Sequence, residues 1–161
     1  MASVKYTPDH IWALIVDNKA DNAMKILNSI QDGSVWIQNA IAVCWMRLGK
    51  PDKASSILLD MVYKKNSVIM RTDVSDVTKL NLATSLLMTG NIEGALDALN
   101  TVENDTPMKG KLQEALAAWK KQQPLGSRIG MFLGVYPKNK PVSLEFPPGQ
   151  IEVNLKEVLE K

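Results

Sequence analysis

Two stretches, Ala42-Val-Cys-Trp-Met-Arg-Leu-Gly-Lys-Pro-Asp-Lys-Ala54 and Ala83-Thr-Ser-Leu-Leu-Met-Thr-Gly-Asn-Ile-Glu-Gly-Ala95, carry the same punctuation. A small alanine is followed after seven residues by Gly49 or Gly90, and each glycine after five more by Ala54 or Ala95. The glycine suits a left-handed cap that ends one helix, and Pro51 suits the first turn of the next. The second alanine has a packing reason, since two helices approach to ~8–10 Å only when one side of the contact is small. An earlier copy, running from Ile11 to Ala23, places Leu14, Asn18 and Ala23 at the same positions. Repetition of one helix-turn-helix unit is therefore the feature that decides the fold.

Outward from these turns, apolar residues recur three and four apart, which predicts paired amphipathic helices over 8–17 and 20–30, 35–48 and 51–65, and 74–88 and 92–102. Asp32-Gly33-Ser34 separates the first pair from the second, and Thr89-Gly90-Asn91 is the turn within the third. Pro107 opens a seventh helix to about Gln123, with Leu112, Leu116 and Trp119 at helical spacing and Lys120 and Lys121 at the negative end of its dipole. Beyond Pro124 the pattern changes. Gly126, Gly130 and Gly134 disfavour helix, and Tyr136-Pro-Lys-Asn-Lys-Pro141 and Pro147-Pro148-Gly149 read as turns. Val142, Leu144 and Phe146, then Ile151, Val153 and Leu155, alternate with polar neighbours, so both segments read as short strands or extended arms, with 155–161 open to a helical turn or two.

The repeated unit resembles the tetratricopeptide repeat over roughly residues 4–107. The third copy supplies Leu82, Ala83, Leu86, Gly90, Ala95, Leu99, Val102 and Pro107 in the family's order. The second supplies Ile41, Ala42, Trp45, Gly49, Ala54, Leu58 and Met61, with Asn66 in place of the closing proline; the first is degenerate, with His10, Ile11 and Asn18 at pattern positions. The spacing departs from the family's 34 residues: Ala23 to Ala54 is 31 and Ala54 to Ala95 is 41, with an insertion within 65–76. The resemblance implies an all-α fold, a right-handed α-α superhelix of about three divergent helix pairs over 4–123, closed by the capping helix, with 124–161 as an extended or small-β arm packed on the repeats or on a neighbouring copy.

Composition limits the function. With 161 residues, 45% hydrophobic and 22% charged, the chain is one globular core without room for a second catalytic domain. A net charge of +2 gives no global grip on nucleic acid. No apolar run approaches the ~20 residues of a membrane span, and Met1-Ala-Ser-Val-Lys-Tyr6 lacks an export leader's pattern, so a cytoplasmic protein with no membrane partner is expected. One histidine, His10, and one cysteine, Cys44, leave no basis for a His/Cys metal site, a disulfide or a nucleophile–base pair. Cys44 reads as a small buried hydrophobe. The three glycines of 126–134 lack the lysine and hydroxyl of a phosphate loop, and no carboxylate pair is nominated for acid–base work. No enzyme activity, cofactor or metal is expected.

Recognition is the remaining class. In tetratricopeptide proteins the first helix of each repeat lines a concave groove, and the resemblance places Trp12, Trp36, Asn39, Val43, Arg47, Asn81, Thr84 and Met88 there, with Lys111 and Lys121 extending the face. Asparagines hold extended backbone by paired hydrogen bonds, aromatics anchor, and Arg and Lys meet a carboxylate, so the expected partner is a protein or peptide, an acidic one included. The family's two-carboxylate clamp is present only in fragments, at Asn81 and Arg47. The competing readings are packing alone for the aromatics, self-association through the arm, and RNA binding by a helical-repeat protein of the pentatricopeptide sort; separately, the acid-free run Lys120, Lys121, Arg128, Lys138 and Lys140 suits an acidic partner or nucleic acid. In length and repeat number the chain is also similar to small secretion chaperones of bacterial type III systems.

Overall fold

A computed structural model describes residues 8–30 and 33–151. The order is α1 (Pro8–Val16), α2 (Ala20–Ser29), α3 (Val35–Arg47), α4 (Pro51–Val62), α5 (Asp76–Thr89), α6 (Ile92–Asn100), α7 (Pro107–Gln122) and α8 (Leu125–Phe132). From α1 to α6 each helix packs on the next in sequence, while α5 also meets α3 and α7. Residues 4–7, Asp32, Val153 and the stretch 155–161, which figure in the sequence reading, lie outside the described residues.

The turns explain the first three pairings. Asn18, Gly49 and Gly90 all have positive φ, at 59°, 69° and 81°. Behind them Lys19 N–H donates to the Leu14 carbonyl at 2.8 Å, Lys50 N–H to Trp45 at 2.9 Å and Asn91 N–H to Leu86 at 2.9 Å, so orphan carbonyls at three helix ends are satisfied in one way. Asparagine tolerates this conformation better than other residues with a Cβ, which is why Asn18 can stand in line with two glycines. On the far side of each turn Ala23, Ala54 and Ala95 are fully buried.

Helix starts follow local chemistry. Ser75, Asn91 and Thr106 cap α5, α6 and α7 by accepting from the N–H of Thr78, Gly94 and Lys109, and Pro51 and Pro107 occupy first turns. The Asp76 carboxylate fastens the start of α5 to the segment before α7, accepting from Asn104 N–H at 3.0 Å, Asn104 Nδ2 at 2.7 Å and Glu103 N–H at 3.3 Å. Burial pushes the Asp76 carboxyl upward, but these hydrogen bonds and the Lys79 ammonium outweigh it and hold the group below its ordinary value.

Two expectations are corrected. The fourth helix stops at Val62 rather than 65, because Tyr63 turns extended and bridges antiparallel to Met70. Arg71 N–H then donates to the Val62 carbonyl at 2.8 Å and Lys64 N–H to Ile69 at 3.0 Å, so the insertion closes on itself as a small turn. The glycine-rich stretch after Pro124 is helical, as α8. Its interior glycines cost about 1 kcal/mol each against alanine. The helix end offsets this: Val135 N–H reaches the Gly130 carbonyl at 2.8 Å across Gly134, whose φ is 82°. Met131 is the one buried side chain of α8. From Tyr136 to Ile151 the chain crosses α7, α5 and α3 as irregular backbone, turning at Lys138–Asn139 and bending at Glu145–Phe146, without a strand ladder among the described residues.

Candidate functional site

Helix α5 lies at the centre, with every residue of Thr78–Leu87 buried, five of them polar. Buried polar groups need partners. Thr84 Oγ1 donates to the Leu80 carbonyl at 2.7 Å and Ser85 Oγ to Leu82 at 2.9 Å, so both hydroxyls are used within their own helix. Lys79 Nζ donates to the Thr101 carbonyl at 3.1 Å.

Asn81 is different. Its Nδ2 donates to Asn39 Oδ1 on α3 at 2.9 Å and to the Gln150 carbonyl at 2.8 Å, while its Oδ1 accepts from Gln150 N–H at 2.8 Å. An amide side chain that both gives to and takes from one residue's backbone holds the main chain at that residue. Asn39 does not touch the segment in this hydrogen-bond set; it aligns Asn81.

Two turns further along α3, Arg47 Nε donates to the Pro148 carbonyl at 2.7 Å. Burial pulls the Arg47 guanidinium below its ordinary pKa. Between these two grips Gly149, with φ of 83°, faces Val43 and Met46 so closely that a Cβ would lie 3.0 Å from both Val43 methyls and 2.9 Å from Met46 Cε. Ile151 is buried beyond it.

The earlier part of the arm is fixed on α5 and α7. Val142 N–H donates to the Leu87 carbonyl at 2.9 Å. Gly90, besides capping α5, lies under the Asn139–Lys140 backbone, where a Cβ would come within 2.6 Å of Lys140 N. Lys111 Nζ sits 5.7 Å from the Phe146 ring centre and Lys120 Nζ 5.5 Å from that of Tyr136. A cleft of about 280 Å³ stays open between α7 and residues 143–146, lined by Lys111, Ala115, Ala118, Trp119 and Phe146 among others.

Of the residues singled out from sequence, Asn39, Arg47, Asn81 and Lys111 therefore meet around residues 146–150. Trp12 and Trp36 pack half-buried against the core, and Trp36 Nε1 is buried without a hydrogen-bond partner among the described residues. Lys121 is exposed, and Thr84 is spent on Leu80. Sequence reasoning missed Gly149, the second role of Gly90 and the Leu87 carbonyl. The only signal for the first was its place in Pro147-Pro148-Gly149, which reads as a turn.

Burial pushes the Cys44 thiol up from 9.0 to about 12 against a smaller opposing effect of Arg47, so it stays protonated at neutral pH. Among the described residues no group of three or more His, Cys, Asp or Glu is placed to hold a metal, and no helix is long and apolar enough to cross a membrane. No protein-family model, curated protein or solved structure matches the chain.

Proposed function

We propose that the chain is a non-catalytic protein–protein interaction module, of adaptor, scaffold or chaperone type, that recognises an extended peptide or protein segment on the α3–α5–α7 face. Within this reading the helices form divergent tetratricopeptide-like pairs in a right-handed superhelix, and the face is its groove. The protein works in the cytoplasm without a cofactor. The observation that carries the reading is the pair of hydrogen bonds from the Asn81 side chain to the Gln150 backbone, supported by Asn39. A side chain committed to main-chain recognition of an extended segment is the working part of a peptide receptor.

Selection of random peptides displayed on phage against the full chain tests it. Enriched peptides whose binding is lost in Asn81→Ala, with helical circular dichroism retained, are the expected result. Enrichment indifferent to Asn39, Arg47 and Asn81 would remove this face from the function.

A second reading, self-association through the C-terminal region, is favoured by α8 and its end. Leu125, Ile129, Phe132 and Leu133 fall on one side of the helix at 70%, 56%, 91% and 72% exposure. Under that reading the solution mass of the full chain is a multiple of 17.8 kDa and returns to the monomer value in Phe132→Ser/Leu133→Ser.

A further inference from the structure

We infer that the α3–α5 face selects a Pro-Gly-x-aliphatic segment, and that a segment of another protein bearing this signature displaces residues 148–151 from it. The inference rests on the proposed recognition function and specifies its ligand. Four positions define the signature. Arg47 Nε fixes the register by holding the Pro148 carbonyl at 2.7 Å. A proline there has no N–H to satisfy and is already extended, which lowers the ordering cost.

The next position must be glycine for two independent reasons. Its φ of 83° lies where other L residues are strained, and a Cβ would meet both methyls of Val43, a side chain with little freedom at χ1, at 3.0 Å. The third position is held by Asn81 through its backbone, and its side chain, half-buried as Gln150, is not part of the signature. The fourth is buried at Ile151, 7% exposed, and calls for an aliphatic residue.

The chain's own segment satisfies this signature and acts as a built-in competitor. A second copy of the chain offers identical contacts without the advantage of being tethered, so it loses to the arm already in place. A foreign segment can gain what the arm does not use. The cleft of about 280 Å³ beside Phe146, lined on α7 by the apolar Ala115, Ala118 and Trp119 and by the polar Lys111, Glu114 and Gln122, has room for a larger side chain upstream of the glycine. The favoured occupant is therefore a segment of a different protein.

The test uses two fluorescein-labelled peptides with the sequence of residues 143–151, one native and one with alanine in place of the glycine, and the full-length chain in wild-type and Gly149→Ala forms. The substitution loosens the tethered arm and leaves Val43, Met46, Arg47 and Asn81 intact. The Gly149→Ala chain is expected to bind the native peptide at least about tenfold more tightly than the wild-type chain does. It should discriminate at least about tenfold against the alanine peptide and lose binding in Gly149→Ala/Asn81→Ala. Ile151→Asp, which removes the last anchor, serves as the second arm-released chain if Gly149→Ala proves unfolded by circular dichroism. Equal affinity for the two peptides, or no binding of either by a folded, arm-released chain, overturns the inference. A third probe separates its failure from that of the function it rests on. Binding of an acidic nine-residue peptide with a free C-terminus, lost in Arg47→Ala, would keep the recognition face and discard the Pro-Gly signature, whereas binding of no probe would discard both. A concentration-dependent wild-type dimer that Gly149→Ala abolishes would assign the face to a second copy and likewise overturn the inference.

Discussion

Asn81 and Gln150, sixty-nine positions apart in sequence, are joined by two hydrogen bonds of 2.8 Å each, side chain to main chain in both directions. The pair couples the central helix of the molecule to the end of its described chain. Replacing Asn81 by Ala removes both bonds and leaves Asn39 Oδ1 buried without its donor, while the Gln150 groups regain water as the segment lifts. The expected loss is about 2–3 kcal/mol in urea unfolding, against about 0.5 kcal/mol or less for the exposed Lys121→Ala.

Gly90 and Gly49 share a helix-capping conformation but not their surroundings. Around Gly49 a Cβ would meet no described residue within 4 Å outside its own stretch of chain, whereas at Gly90 it would meet the Lys140 and Asn139 backbone at 2.6–2.9 Å. Gly49→Ala should cost only the left-handed strain, about 1–2 kcal/mol. Gly90→Ala should cost clearly more and should also release residues 139–142, read as tryptic cleavage after Lys138 that Gly49→Ala does not show.

Ala54 and Ala95 are fully buried one turn into α4 and α6. Leucine at either position is expected to destabilise by about 1–3 kcal/mol through overpacking. Unchanged melting temperatures in both variants would contradict the close helix approach attributed to them.

Two groups set opposite pH limits. Cys44, raised from 9.0 to about 12 in the folded chain, favours folding below its unfolded pKa, and that contribution falls away as pH rises from about 9 toward 12. Asp76, held below its ordinary 3.8 in the fold, contributes above that value and loses its contribution as pH falls through it. Urea midpoints in Cys44→Ala should therefore decline less than wild type between pH 8 and pH 10.5. In Asp76→Asn they should decline less between pH 5 and pH 3.

Much of this arrangement was legible from local chemistry. The glycine–alanine spacing gave the turns at Gly49 and Gly90 and aligned Asn18 with them, because a left-handed cap leaves a mark within a few residues. The helix period gave seven helices for the same reason. Asn39, Arg47 and Asn81 were reached through a resemblance whose groove positions happen to gather around one segment. The segment itself was not legible. The contacts of Pro148, Gly149 and Gln150 come from helices about seventy and a hundred residues away, and no periodicity records such a pairing. The hydroxyl of Thr84 was misjudged because a buried helical threonine can turn back to the carbonyl four residues earlier, as it does to Leu80. Helix α8 was missed because its two interior glycines speak against helix, while the cap at Gly134 and the anchoring of Met131 that hold it are not local propensities.

Amide hydrogen exchange at Gln150, followed by NMR in the full chain and in Asn81→Ala, is the most direct test that this face holds an extended segment by its backbone. The expected result is an amide protected at least about a hundredfold in the wild-type chain and exchanging at the free-peptide rate in Asn81→Ala, while the α5 amides around Leu82 and Ala83 stay protected in both. Free exchange at Gln150 in the wild-type chain, with α5 fully protected, would contradict it.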